Sequence, residues 1–338
     1  MPLFERESKR IVIAGASSLL GAELKALLEE SKLADWDFRL VDEEDVAGTL
    51  TEAGGEPAVI QPVEEGTFNR ARLIFFTGSP EFTRTNIGSA MQRGARIIDL
   101  SGAVFDETET EVWFPGSEAL RNRAFHSEAE FFATPSAAGL ATIGLSFGLR
   151  GLGLHHLAAI FFQPVSEFGR RGIEELESQT GQLLSFESVG KTVFDAQVAF
   201  NLLDRFGPES GRKLAAVRER VRMEARVLLE GADFVPAVQV VHAPVFYGTA
   251  FAASARFDPL GPELKLEKIV KACEAAGFVI AAGSKDPPSN VSVAGENRIH
   301  LSAPELDSGR CDTWWFWGAA DNIRLPAANA VKLAEKLT

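Results

Sequence analysis

The sequence predicts an α/β protein: a doubly wound parallel sheet in the N-terminal part, then an α+β region with its own sheet, then a closing helix. Three observations carry this. The run Arg10 to Gly15 (RIVIAG) is β-branched and ends in glycine, and Leu19, Leu20, Leu24, Leu27 and Leu28 follow at helical spacing, which is a β-turn-α unit. Further short apolar runs then alternate with helical stretches, the pattern of parallel strands buried on both faces. After about Thr134 the strand-like stretches lengthen and the helices become charged, the mark of an α+β region.

Taken in order, Trp36 to Val41, Leu73 to Phe76 and Arg96 to Leu100 read as buried strands, with a helix from Glu81 to Gln92 between the last two. Beyond Thr134, Leu157 to Val165 and Ala237 to Phe246 read as strands, and Arg170 to Leu184 and Arg212 to Leu229 as helices. Trp314 to Gly318 is aromatic strand material, and Asn329 to Leu337 carries apolar residues at helical spacing. No internal repeat or low-complexity linker interrupts the chain, so two closely packed lobes are expected.

At 338 residues and 46% apolar composition the chain has enough material for large cores. Its most apolar region, Leu140 to Val165, is broken by Arg150, His155 and His156, so no span of about 18 uncharged apolar residues exists and no membrane association is expected. Met1 to Arg10 alternates charges, unlike a signal peptide, which predicts a cytoplasmic protein. Two cysteines, Cys273 and Cys311, are too few for a disulfide framework or metal cluster and are read as packing residues. The 34 basic and 47 acidic residues leave a net charge of −13, which repels phosphate backbones and argues against nucleic acid as a partner.

Gly15-Ala16-Ser17-Ser18-Leu19-Leu20-Gly21 resembles a dinucleotide fingerprint, in which glycines let the backbone approach a pyrophosphate at a helix N-terminus. The middle glycine is replaced by Ser18, whose side chain would either crowd the pyrophosphate or donate a hydrogen bond to it. The second strand ends in Val41-Asp42-Glu43-Glu44-Asp45. A carboxylate there, best placed at Asp42, suits a free ribose, and nothing basic is present for a 2′-phosphate, so NAD is expected over NADP. A solvated acidic turn with no cofactor is the competing explanation.

Several stretches together resemble the aspartate-semialdehyde dehydrogenase family: the glycine turn, Gln163-Pro164-Val165-Ser166 with Gly172-Ile173-Glu174-Glu175-Leu176, Ala199-Phe200-Asn201, Ala243-Pro244-Val245-Phe246-Tyr247-Gly248, and Ala320-Asp321-Asn322-Ile323-Arg324. They occur in the family's order over nearly the whole chain. The resemblance implies an NAD(P)-binding Rossmann-type domain over residues 1–134 and 320–338, a dimerisation and catalytic-type domain over 135–319, and a C-terminal helix returning to the first domain. It further implies a homodimer, cofactor contacts from Gly15, Ser17, Ser18, Gly21, Asp42 and Asn322, and a role in aspartate-family amino-acid biosynthesis.

The family's chemistry uses a cysteine nucleophile, a histidine acid and base, and arginines that clamp substrate. By the resemblance the nucleophile falls on Ala137, in Ala133-Thr134-Pro135-Ser136-Ala137-Ala138, and the base on Thr249. A methyl group cannot attack a carbonyl, and a threonine hydroxyl does not titrate near neutrality. The clamp positions fall on Phe105 and His242, and the family's Glu-x-x-Lys pair on Val217 and Arg220. Gln163, which orients the bound intermediate in the family, is retained, while Ser166-Glu167-Phe168-Gly169 replaces Ser-Gly-Ala-Gly, so Glu167 and Phe168 are expected to fill ligand space.

The chain therefore reads as a catalytically silent paralogue that acts by binding a small molecule or by pairing. The alternative is a working NAD(P)-dependent oxidoreductase acting on an aldehyde or alcohol, with Ser136, Gln163, Thr249 and His242 as its polar site and His242 as the only titrating member. A packed strand histidine is the commoner fate of such a residue, and His126, His155, His156 and His300 are read in the same way. His155 and His156, on opposite faces of a strand, would not share a metal, so none is expected. Trp314, Trp315, Phe316 and Trp317 are read as sheet core or interface.

Overall fold

The structure is a computed structural model, which describes residues 9–338 apart from 54, 92, 93, 108, 231–233, 259–263 and 282–285. Most of the charged opening segment Met1 to Arg10 and the predicted helix end at Gln92 lie outside the described residues. The chain divides into two compact units: Met1–Pro115 with Ala124–Pro135 and Pro326–Thr338, and Gly116–Arg123 with Ser136–Leu325.

In the first unit the described strands β1 (Arg10–Ala14), β2 (Asp37–Asp42), β3 (Gln61–Pro62), β4 (Leu73–Phe76), β5 (Arg96–Asp99), β6 (Thr110–Val112) and β7 (Phe131–Ala133) form one parallel sheet in the order β3-β2-β1-β4-β5-β7-β6. Helices α1 (Leu19–Glu29) and α2 (Pro80–Met91) follow β1 and β4. Ile11 to Ala14 and Leu73 to Phe76 are buried throughout, as strands covered on both faces must be. The C-terminal helix Arg324–Leu337 starts earlier than its apolar spacing suggested. Its Ala327, Ala330, Val331, Leu333, Ala334 and Leu337 pack with Ile11, Ile13, Leu24 and Leu28, and the Arg96 guanidinium donates to the Leu337 carbonyl at 2.6 Å. The predicted return of this helix to the N-terminal sheet is thus seen.

The second unit contains α3 (Ala137–Arg150), β8 (Leu154–Gln163), α4 (Arg170–Leu184), α5 (Leu214–Leu228), β9 (Ala237–His242), β10 (Thr249–Phe257), α6 (Leu266–Ala275), β11 (Val279–Ile280), β12 (His300–Leu301), β13 (Glu305–Leu306) and β14 (Thr313–Ala320). The strands form a mixed sheet, β9-β8-β10-β14-β12-β11, with β13 on β14. One face is covered: α3 packs on β8 and α5 on β9, burying Leu157, Ala159, Phe161, Gln163, Val238, Val240, Phe251 and Ala253. The other face leaves Ile160 at 44%, Trp315 at 47% and Trp317 at 40% exposure.

Three sequence expectations are corrected. Pro244 to Gly248 lies in the connection between β9 and β10 outside the strands, because proline has no N–H for a ladder and Gly248 adopts φ +80°. His155 and His156 are not packed histidines: the register shifts between Leu154 and His156, and both are exposed. Cys273 is a packing residue whose thiol burial pushes up to about 12, whereas Cys311 is exposed.

Candidate functional site

The glycine turn is built by packing. Gly15 sits at φ +92°, and a Cβ there would lie 2.2 Å from the Gly78 nitrogen; at Gly21 it would lie 2.5 Å from the Gly15 carbonyl. Ser18 is the N-cap of α1. Its Oγ accepts from Gly21 N–H at 2.8 Å and donates its one proton to the Thr77 carbonyl at 2.9 Å, so in this arrangement it does not offer that proton to a phosphate. Asp42 is buried at the end of β2, where its carboxylate accepts from the Ser17 and Glu43 amides at 2.8 and 2.9 Å. A carboxylate has about four acceptor sites, so capacity remains for a ribose hydroxyl. Beside it opens a cavity of about 500 Å³ lined by Asp42, Glu43, Glu44, Glu64 and Glu81, with no basic residue among its described lining.

The second unit holds a polar cluster. Ala137 is the first residue of α3, whose N-cap Ser136 accepts from Gly139 N–H at 3.1 Å. Glu224 of α5, fully buried, accepts from the Ser136 amide at 3.0 Å, the Ser136 hydroxyl at 2.6 Å and Arg220 Nε at 2.9 Å. Thr249 begins β10 and donates its hydroxyl to Gln163 Oε1 at 3.0 Å, both side chains being buried. The Gln163 carbonyl oxygen is thus held and its amide nitrogen is turned away from Thr249.

Asn322, expected to touch cofactor, is a hub within this unit. Its Oδ1 accepts from Gly248 N–H at 3.0 Å, and its Nδ2 lies 3.2 Å from Ser166 Oγ and 3.4 Å from Glu167 Oε2. Burial holds the Glu167 carboxyl above the usual carboxylate range, Arg220 and Asn322 pull it back, and the Glu224 carboxylate adds to the rise. A raised carboxyl keeps its proton in the folded state after the unfolded chain has lost it, so it lowers stability progressively as pH rises above the ordinary glutamate value. Glu167→Gln should therefore gain melting temperature relative to the native protein as pH increases from about 4.5 toward neutrality. Thermal denaturation of the two proteins across that range checks it; a constant difference would refute the assignment.

Three expected site residues remain: Phe105, His242, which pairs in register with Gln163 on the neighbouring strand, and Arg220. Phe105 is buried within the first unit. His242 is buried beside Phe194 and Phe206, with ring centroids 6.3 and 5.7 Å away. Its Nε2 is 3.1 Å from the Val198 carbonyl, and its Nδ1 has no hydrogen-bond partner among the described residues. Burial lowers its pKa below the ordinary histidine value, against the pull of the Val198 contact. Phe168 packs edge-on against Phe194 and Phe206 at 5.5 and 5.1 Å. Arg220 is engaged by Glu224. The sequence reading missed Glu224, although an Arg and Glu four apart on one helix were signal for the pair. Among the described residues no group of three or more His, Cys, Asp or Glu is placed to hold a metal ion, and no helix is long and apolar enough to cross a membrane.

Two sheets of these topologies and a helix-capped polar cluster on the second define a semialdehyde-dehydrogenase architecture. Residues 151–325 match the family described as semialdehyde dehydrogenase, dimerisation domain, and the chain belongs to that family. Over 334 residues the chain is 28% identical to the USG-1 protein homolog of Azotobacter vinelandii, covering 97% of each. The solved structure of a probable aspartate-semialdehyde dehydrogenase from Pseudomonas aeruginosa superimposes with TM-score 0.84 at 25% identity, over 97% of this chain and 98% of that one. More distant is the aspartate-semialdehyde dehydrogenase from Candida albicans solved with NADP, TM-score 0.65 at 13% identity over 97% and 98% of the two chains.

Proposed function

We propose that this protein is a catalytically silent member of its family, a cytoplasmic homodimer that acts by binding a small molecule or by pairing. The observation that carries this is the state of the two key positions: Ala137 presents only a methyl group, and Thr249 spends its hydroxyl on Gln163. Neither supplies a nucleophile or a base. Pairing uses the open face of the mixed sheet. Ile160, Ala252 and Trp317 form one row across β8, β10 and β14, Phe162 packs against Trp317 at 6.1 Å, and the indole N–H groups of Trp315 and Trp317 are already bonded to Asp307 and Pro288. That leaves an apolar surface suited to a second copy.

The nucleotide reading is NAD in preference to NADP. The acidic cavity beside Asp42 repels a 2′-phosphate, and the NADP of the Candida enzyme belongs to that distant protein. Titration calorimetry with both nucleotides is expected to give heat with NAD, and NADP weaker by roughly tenfold or more, about 1.4 kcal/mol. Tighter NADP binding would contradict the acidic-cavity argument. Parallel titration with aspartyl compounds and no turnover tests the binding role itself, and nicotinamide turnover would favour the oxidoreductase alternative.

A further inference from the structure

We infer that the second unit binds a small aliphatic α-amino acid in the cavity between the last turn of α5 and the residues leading into β9: Arg226 takes the carboxylate, Glu230 the ammonium, and an apolar wall the side chain. The cavity measures about 260 Å³, and its lining includes none of the positions that the family resemblance assigns. Ligand pockets run from roughly 300 to 1,000 Å³. A space just below that range admits one residue-sized molecule and excludes a dinucleotide. Its apolar wall is Ala225, Leu229, Phe234, Val235 and Pro236. Ala225 and Leu229 are buried, whereas Val235 is 75% exposed, so an aliphatic chain laid against it removes apolar surface from water.

The charged groups at this cavity differ from their neighbours on α5. Arg218 donates to Gln239 Oε1 at 3.1 Å, Arg220 to Glu224 at 2.9 Å, and Arg222 to Glu219 at 2.8 Å and to the Val238 carbonyl at 3.2 Å. Arg226, in the last turn, and Glu230, just past the C-cap Leu229, make no hydrogen bond or ion pair among the described residues, although both line the cavity. A guanidinium offers a planar fork that matches a carboxylate. The C-terminal end of α5 is the negative end of its dipole, so an ammonium there gains from the helix end as well as from Glu230. A zwitterion satisfies both side chains. A simple carboxylate meets the like charge of Glu230, and a simple amine that of Arg226.

Calorimetric titration with L-leucine is the test. The native protein should bind leucine with millimolar affinity or better, and should bind isocaproate, which lacks the amine, and isopentylamine, which lacks the carboxylate, at least roughly tenfold more weakly. Arg226→Gln and Glu230→Gln alter exposed side chains, so both should keep the native melting temperature. Each should bind leucine at least roughly tenfold more weakly than the native protein does. No heat from leucine and native protein, equal affinity for leucine and either analogue, or unchanged leucine affinity in either variant would overturn the inference. If a variant fails to fold, the comparison of leucine with its two analogues on the native protein decides alone. Turnover of aspartate semialdehyde would refute the silent reading without touching these titrations, so the two failures are separable.

Discussion

The double variant Ala137→Cys, Thr249→His is expected to leave aspartate semialdehyde untouched in both directions, phosphate and nicotinamide cofactor supplied. The changes restore a thiol and an imidazole and nothing else. A histidine at 249 also gives up the hydroxyl that holds Gln163 Oε1, so the retained amide loses its orientation. The positions the resemblance assigns to the clamp stay as they are: Phe105 is buried apolar surface, His242 is packed among aromatic rings, and Arg220 is paired with the buried Glu224. Orientation accounts for roughly 7–11 kcal/mol of barrier lowering in a well-positioned reaction, and a reactive pair without anchors forgoes most of it. Stopped-flow absorbance on the variant decides the point. Turnover within about a hundredfold of ordinary enzyme rates, typically about 10 s⁻¹, would mean that the binding site survives.

Ile160→Glu is expected to convert a homodimer into a monomer with an intact fold. Ile160 is 44% exposed in the protomer, so a glutamate there remains solvated and the sheet should keep its stability. In a dimer formed through this face the same carboxylate would be buried beside Ala252 and the Trp317 ring with no partner. An unpaired buried charge costs about 3–5 kcal/mol, which raises the dissociation constant by roughly a thousandfold. Sedimentation velocity at micromolar concentration reads the outcome. A native monomer, or a variant that stays dimeric, would place the pairing surface elsewhere.

How much of this was legible in sequence depended on how local the determinant was. The parallel strands were, since Ile11 to Ala14 and Leu73 to Phe76 are buried on both faces and therefore apolar throughout. Helix α3 was not, because nearly all of its residues are buried and an all-round apolar helix has no 3.6-residue alternation to detect. Strand β10, rich in alanine, gave little β signal. At the site, the flanking motifs carry the resemblance that assigns positions 137 and 249 to the nucleophile and base. The fates of His242 and Phe168 were not, since they depend on Phe194 and Phe206, brought beside them only by the fold. Glu224 was hidden for the same reason: its partner Ser136 lies 88 residues away.

The central claim is that this chain has the family's frame without its reaction, and one measurement addresses it most directly. Native protein is mixed in a stopped-flow instrument with aspartate semialdehyde, phosphate and either NAD or NADP, and nicotinamide absorbance is followed. The silent reading predicts a trace no different from the protein-free control, with neither burst nor steady rate. A reproducible rise in reduced nicotinamide that scales with protein concentration would contradict it and make this chain a working oxidoreductase.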